Sequence, residues 1–202
     1  MKSEQTEQLL WGKRLVGHLK TINHHKWLVC RMCFQVGLYR QGLLHDMSKY
    51  SLPELLPSVR YWQGTRSPYA REKEVKGYSL GWLHHKGRNK HHFEYWMDYV
   101  HPGEGLIGTK MPKRYVIEMF IDRVSACKNY RKEDYRANSA LEYYEKGKAE
   151  YIMHPDSRFL LEYLLHMLAE KGEPFTLQFI KKTLLAEPDG DYSQKDGHLR
   201  LK

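Results

Sequence analysis

The chain has 202 residues, a formal net charge of +9 and three cysteines. This length is enough for one domain with its own core, and an odd number of cysteines does not suggest a disulfide framework. No stretch approaches the roughly 20 consecutive apolar residues of a membrane span and no signal segment opens the chain, so we expect a cytoplasmic protein without membrane contact.

The first part of the chain has apolar residues at helical spacing. They recur from residue 8 to about 35, which predicts one or two helices, and again over about 38–47, which predicts a shorter one. Ser51 is suited to cap a further helix and Pro53 to its first turn. Residues 62–77 are polar and contain Gly64, Pro68 and Gly77, which predicts a loop that has room for a short helix inside it.

The second part is also helical. The sequence KGRN, typical of a turn, separates two histidine pairs, so the first pair should end a helix and the second should begin the next segment. A Gly/Pro-rich connection over 101–112 precedes helices that begin near 112, 156 and 176. Because no segment alternates like a strand, we predict an all-α chain with one domain over 1–186 and a flexible tail over 187–202.

Histidines are the main functional signal. The chain has 12 of them, and nine lie between His18 and His101. His45 and Asp46 end an apolar run, where two adjacent side chains can diverge around a single cation more easily than within a regular helix. Imidazole and carboxylate ligands together suit zinc, manganese, iron or cobalt better than calcium. Asp122, a lone acid on an apolar helix face, should meet either a metal or an arginine.

These residues resemble the ligands of the HD superfamily of metal-dependent phosphohydrolases. LLHDMSK is similar to that family's LLHD-x-GK, and IDRVSA resembles its last-ligand segment. The resemblance covers about 18–130 and implies an HD-like helical bundle, with the helices over about 140–186 as additions. HHKGRNKHHFEYW and GLLHDMSKYS more closely resemble an uncharacterised family of bacterial and phage HD-like proteins, which implies no activity.

The resemblance implies one or two divalent metal ions, drawn from Mn, Fe, Co, Zn and Mg. The implied metal ligands are His25, His45, Asp46, His85, His92 and Asp122. With two ions, Asp46 would bridge them and so carry a catalytic role. Since doubled histidines cannot all be ligands, the alternatives or outer partners are His24, His84, His91 and His18. His18 would match the family's usual spacing, whereas His25 matches its local pattern.

The positive charge points to an anionic partner. Residues 66–92 hold seven Lys or Arg against two Glu, which fits a phosphate-bearing ligand or a solvated basic face. The candidate phosphate-binding residues are Lys49, Lys86, Arg88 and Lys90. We therefore expect a phosphohydrolase acting on a nucleotide or another small phosphate ester. The alternatives are an HD-type di-iron oxygenase and a basic nucleic-acid-binding protein with a structural metal. Separately, the apolar segment FLLEYLLHMLAE is compatible with a homodimer interface.

Overall fold

The computed structural model describes residues 2–100, 103, 105–187 and 190–201. Most of the described residues are helical, which confirms the predicted all-α class. The α-helices of this part of the chain are α1 (Lys2–Val36), α2 (Tyr39–Leu44), α3 (Leu52–Tyr61), α4 (Pro68–Lys76), α5 (Leu80–Lys86), α6 (Lys113–Arg131), α7 (Ser139–Glu145) and α8 (Pro155–Phe179).

Helix α6 is the centre of the core and packs against both α1 and α8. Its most deeply buried apolar side chains include Val116, Ile117, Phe120, Ile121 and Val124. Burying each large apolar side chain contributes about 1.5–3 kcal/mol, so this helix is fixed firmly in place. Glu118 and Asp122 lie one helical turn apart on α6. Because the helix is held in place by its packing, the positions of these two carboxylates along the helix axis are set as well.

The apolar face of α8 belongs to the core of the chain. Leu160, Leu161, Leu164 and Leu165 are completely buried there, so these leucines are covered without a second copy. The two helices predicted in this region are present and follow each other within Pro155–Phe179, separated by a kink at Gly172, whose φ of 79° and ψ of 171° glycine adopts without steric cost. A π-helical turn over Ile180–Leu184 follows.

Two short antiparallel hairpins were not predicted from the sequence. Strand β1 (Met97–Tyr99) pairs with β2 (Leu106–Gly108), and β3 (Tyr192–Lys195) pairs with β4 (His198–Leu201). The second hairpin lies in the tail predicted to be flexible, where Tyr192 is 2% exposed and donates a hydrogen bond of 2.5 Å to the Met111 carbonyl oxygen. Residues 188, 189 and 202 of that tail, and 101, 102 and 104 of the predicted connection, lie outside the described residues.

Two further segments bear on the predicted elements. The polar segment 62–77, predicted as a loop with room for a short helix, contains α4, which ends at Gly77 with a φ of 82°. The predicted helix over 38–47 ends at Leu44, and a 3₁₀ turn over Met47–Tyr50 follows. In the part of the chain that the structure describes, none of the helices combines the length and the apolar character needed to cross a bilayer.

Candidate metal centre

Helix α1 supplies one histidine of the pair at 24 and 25. His25 is 5% exposed and faces the interior, whereas His24 is exposed and its Nδ1 lies 2.7 Å from the Asn129 amide oxygen. Neighbouring residues on a helix point about 100° apart, so only one of the two can face the site. The structure thus brings the predicted ligand His25 to the site and turns His24 away.

His45 and Asp46 follow the last residue of α2. Asp46 has a left-handed backbone conformation, with φ 55° and ψ 24°, which aspartate tolerates better than most residues. This local reversal turns both side chains inward, and each is only 2% exposed. His45 Nε2 lies 3.3 Å from Asp46 Oδ2, so the two neighbours converge on one point.

Asp122 of α6 completes a first group of four candidate ligands. Its Oδ1 lies 2.9 Å from His25 Nε2 and 3.4 Å from His45 Nε2. One ligand atom from each of His25, His45, Asp46 and Asp122 lies within 4.8 Å of all the others. The lone acid of the apolar helix therefore meets histidines from two other segments, and no arginine is needed to explain its burial.

A second group faces the other oxygen of Asp46. His85 Nε2 lies 3.3 Å and His91 Nε2 lies 3.4 Å from Asp46 Oδ1. His92 joins them, since one ligand atom from each of Asp46, His85, His91 and His92 falls within 4.8 Å of the rest. The structure therefore brings both His91 and His92 to the site, although the sequence favoured His92 alone. Asp46 presents one oxygen to each group.

Two glutamates that the sequence analysis missed hold the histidines from behind. Glu54 accepts hydrogen bonds from His84 Nδ1 at 2.7 Å and from His85 Nδ1 at 2.8 Å. Glu118 Oε1 lies 2.9 Å from His45 Nδ1 and 3.1 Å from His91 Nδ1. Such partners fix the ring orientation and leave Nε2 free to bind a metal. For Glu118, its spacing of four residues from Asp122 on one helix was an available signal.

Neighbouring positive groups favour the ionised form of the two aspartates in the candidate site. Burial opposes ionisation of Asp46, but the charges of His45 and Lys49 hold its pKa well below the usual range. Burial likewise opposes ionisation of Asp122, and hydrogen bonds from His25 and His45 lower its pKa far more. Burial lowers the pKa of His92 well below its usual value, which leaves this imidazole neutral and able to bind a metal.

Unpaired polar atoms test whether a metal fits here. Among the described residues, Nε2 of His91 and of His92 and Oδ1 of Asp46 are buried without a hydrogen-bond partner, and the Nε2 atoms of His25 and His45 meet only the carboxylates of Asp46 and Asp122. Leaving buried polar atoms unpaired costs about 1–3 kcal/mol each, yet these atoms all face one another. A divalent cation in each group would satisfy them, and the mixture of nitrogen and oxygen ligands suits Mn, Fe, Co or Zn. The residues present therefore fit a pair of metal ions.

Of the four candidate phosphate-binding residues, the structure brings one to the cluster. Lys49 Nζ lies 2.5 Å from Asp46 Oδ2, and the side chain keeps 20% of its surface exposed. Arg88 and Lys90 are exposed, and the Lys90 ammonium group lies over the Tyr95 and Tyr115 rings at 5.8 and 5.9 Å from their centroids. In the described contacts, neither of these two residues nor Lys86 touches a candidate ligand.

The alternative histidines His18 and His84 lie outside both groups. His84 is held by Glu54, as described above. His18 lies on α1, two turns before His25, and is 3% exposed, with neither ring nitrogen hydrogen-bonded to any described residue. Burial, followed by the charge of Lys49, lowers the pKa of His18 to about 4, so this ring is neutral at physiological pH.

A comparison with known protein families finds a match over most of the chain. The model of a family of unknown function, DUF5662, matches residues 15–167, a range that includes all the residues of both ligand groups. Neither the curated proteins nor the solved structures contain a match to this chain. Because the family model covers more than half of the chain, this protein belongs to the family DUF5662.

Proposed function

We propose that this protein is a metal-dependent phosphohydrolase that acts on a nucleotide or another small phosphate ester. The observation that carries the proposal is the position of Asp46 between two groups of histidines. Its Oδ2 lies 3.3 Å from His45 Nε2 in the first group, and its Oδ1 lies 3.3 Å from His85 Nε2 in the second. A carboxylate placed in this way is suited to bridge two metal ions.

The order of the residues supports the same reaction class. The sequence places His25 first, then the pair His45 and Asp46, then further histidines, and finally Asp122, as in the HD superfamily that it resembles. These segments are far apart in the chain, yet they meet in one buried cluster. Their meeting is what a working HD-type centre would require.

Each group has a defined set of residues to hold a cation. The first would use His25, His45, Asp46 and Asp122, and the second would use Asp46, His85, His91 and His92. Such ions, when bound, would supply Lewis-acid chemistry, which would lower the pKa of a water and stabilise negative charge on a phosphoryl group. Lys49 is placed to attract the anionic substrate, because its ammonium group reaches Asp46 and remains partly exposed.

Two observations also fit other functions, which the experiment described below distinguishes from phosphate-ester hydrolysis. The second group is rich in nitrogen ligands, which suit iron as well as manganese or cobalt, so di-iron oxidation chemistry is the first alternative. Arg88 and Lys90 are exposed in a basic segment outside the cluster, which fits binding of a nucleic acid through its phosphates.

Metal analysis combined with a phosphatase assay tests the proposal. We expect protein purified without added metal or a histidine tag to contain one to two equivalents of Mn, Co, Fe or Zn and to hydrolyse p-nitrophenyl phosphate or a nucleotide from a panel. The variant His25→Ala should lose metal and activity, whereas His24→Ala, the adjacent exposed histidine, is the matched control and should keep both.

The Lys49→Met variant separates phosphate binding from metal binding. It should retain metal and raise KM by about 10- to 100-fold, since a charge-assisted hydrogen bond contributes about 1.5–3 kcal/mol. Iron with a visible absorption band and no hydrolysis would favour the oxygenase. Salt-sensitive binding of nucleic acid that persists in His25→Ala would favour the nucleic-acid-binding protein.

A further inference from the structure

Glu118 contacts both ligand groups with one oxygen atom. Its Oε1 lies 2.9 Å from Nδ1 of His45, which belongs to the first group, and 3.1 Å from Nδ1 of His91, which belongs to the second. The side chain is 6% exposed, and the centroids of the two imidazole rings are 4.3 Å apart. A change in the position of either ring therefore reaches the other ring through a single buried carboxylate.

We propose that Glu118 is a positioning residue that makes the binding of the two metal ions cooperative. This inference rests on the metal centre of the proposed function and concerns how that centre is assembled. Glu118 accepts the Nδ1–H of each ring, which places the free electron pair on Nε2 and aims it at Asp46. Once a first ion fixes His45, the carboxylate is fixed too, and His91 is already oriented for the second ion.

The charge of Glu118 strengthens the binding of both ions. Two cations that share Asp46 repel each other, and repulsion alone would make the second ion bind more weakly than the first. The carboxylate of Glu118 lies against the Nδ1 atoms of His45 and His91, and hydrogen bonds from ring N–H groups stabilise the charged form of a carboxylate. A buried negative charge behind one histidine of each group attracts both ions, whereas the coupling that opposes their repulsion comes from the shared orientation of the two rings.

Glu54 provides a control within the same site. Like Glu118 it is a buried carboxylate behind ligand histidines, but it accepts hydrogen bonds from His84, His85 and Tyr69. Of these residues, only His85 is a candidate ligand, and it belongs to the second group. Removing the charge of Glu54 should therefore affect one ion, whereas removing the charge of Glu118 should affect both and the coupling between them.

The experiment is a titration of chelator-stripped protein with Co²⁺, followed by calorimetry and by the visible absorption of bound cobalt. We expect the wild type to bind two equivalents, with the second at least as tight as the first. In Glu118→Gln, the first step should weaken by about 10-fold and the second by about 100-fold, since loss of an outer hydrogen-bond partner costs 10- to 100-fold in metal affinity. In Glu54→Gln, one step should weaken and the other should match the wild type.

Several results would overturn the inference. The first is that Glu118→Gln binds both cobalt ions with the affinities of the wild type. The second is that Glu118→Gln loses affinity in one step only, as Glu54→Gln should. The third is that the wild type binds its two cobalt ions independently. If circular dichroism shows that Glu118→Gln does not fold, Glu118→Asp replaces it in the titration. This variant retains the charge but moves the carboxylate oxygen away from the histidines by the length of one methylene group. Unchanged cooperativity in Glu118→Asp would also contradict the proposal.

The same titration separates this inference from the proposed function. Two cobalt ions bound cooperatively without any hydrolysis of phosphate esters would reject the phosphohydrolase and leave the role of Glu118 intact. No cobalt binding by the wild type would reject both.

Discussion

His45 and Asp46 are consecutive residues, yet their side chains meet at 3.3 Å because the backbone at Asp46 reverses its local handedness, with φ 55° and ψ 24°. Within a regular helix their side chains would diverge by about 100°. A left-handed residue directly after α2 brings the imidazole and the carboxylate into the same buried space. The cost of this conformation is of order 1–3 kcal/mol, which the surrounding structure must offset.

The first prediction concerns Asp46 itself. Asp46→Asn should fold, since asparagine also tolerates the left-handed conformation, but it should bind metal more than about 100-fold more weakly because the charge shared by both groups is lost. Elemental analysis and circular dichroism measure the two effects separately. Asp46→Ala adds backbone strain and should have a lower midpoint of thermal unfolding than Asp46→Asn. Full metal content in Asp46→Asn would show that Asp46 does not bridge the two groups.

The sequence predicted those features that depend on local pattern. Apolar spacing at 3.6 residues identified the long first helix and α6, and the pairing of His45 with Asp46 at the end of an apolar run identified the centre of the site. The choice of His25 over His24 followed from the local pattern of the HD superfamily, which this segment resembles. These features need only near neighbours in the chain, which a single sequence contains.

Features that depend on distant contacts were not predicted. Glu54 lies in the first turn of α3, where an acidic residue is common because of the helix dipole, so nothing marked it as a partner of His85. The tail hairpin depends on Tyr192, whose burial against α8 and the start of α6 cannot be read from polar flanking residues. Such contacts form only after the helices have packed, and periodicity carries no information about them.

A second prediction links metal to stability. The ligands come from α1, from the turn after α2, from α5 and the turn that follows it, and from α6, so a bound metal joins segments that separate on unfolding. Metal at about 100 times its dissociation constant contributes about 2.7 kcal/mol, which for a chain of this size corresponds to a shift of roughly 5–10 °C in the midpoint of thermal unfolding.

The chelator EDTA should therefore lower the midpoint by that amount, as measured by calorimetry on samples whose metal content is known. His24→Ala should show the same decrease, and His25→Ala should show little, because it has little metal to lose. An unchanged midpoint in wild-type protein whose metal has been removed would contradict a site that links these helices.

A third prediction ranks the two histidines of the second pair. His91 is oriented by Glu118 at 3.1 Å, whereas the His92 ring packs edge-on against Trp82 with centroids 4.7 Å apart. An oriented ring loses less entropy when it binds a metal, so His91 should contribute more to metal binding than His92. His91→Ala should therefore lose one metal equivalent. His92→Ala should keep both equivalents, with its metal affinity reduced by less than about 10-fold. Cobalt titration of both variants measures the ranking, and a greater loss in His92→Ala would reverse the assignment.

The last prediction concerns His18 and acid. The folded-state pKa of His18 is about 4, because of burial and then the charge of Lys49, whereas an exposed histidine has a pKa near 6.5. Between these two values the unfolded chain binds the proton and the folded chain does not. The free energy of unfolding therefore falls as the pH falls through this range, by about 2 kcal/mol at pH 5 from this residue alone.

Replacing His18 with phenylalanine should remove that contribution, because phenylalanine cannot take up a proton in either state. Urea unfolding in the presence of EDTA, at pH 8 and pH 5, should show a smaller loss of stability for His18→Phe than for the wild type, with His166→Gln, at an exposed position, as the control. If His18→Phe loses as much stability as the wild type between the two pH values, another group causes the acid sensitivity. In that case the pKa of His18 in the folded protein is not lowered, and its ring has a hydrogen-bond acceptor there.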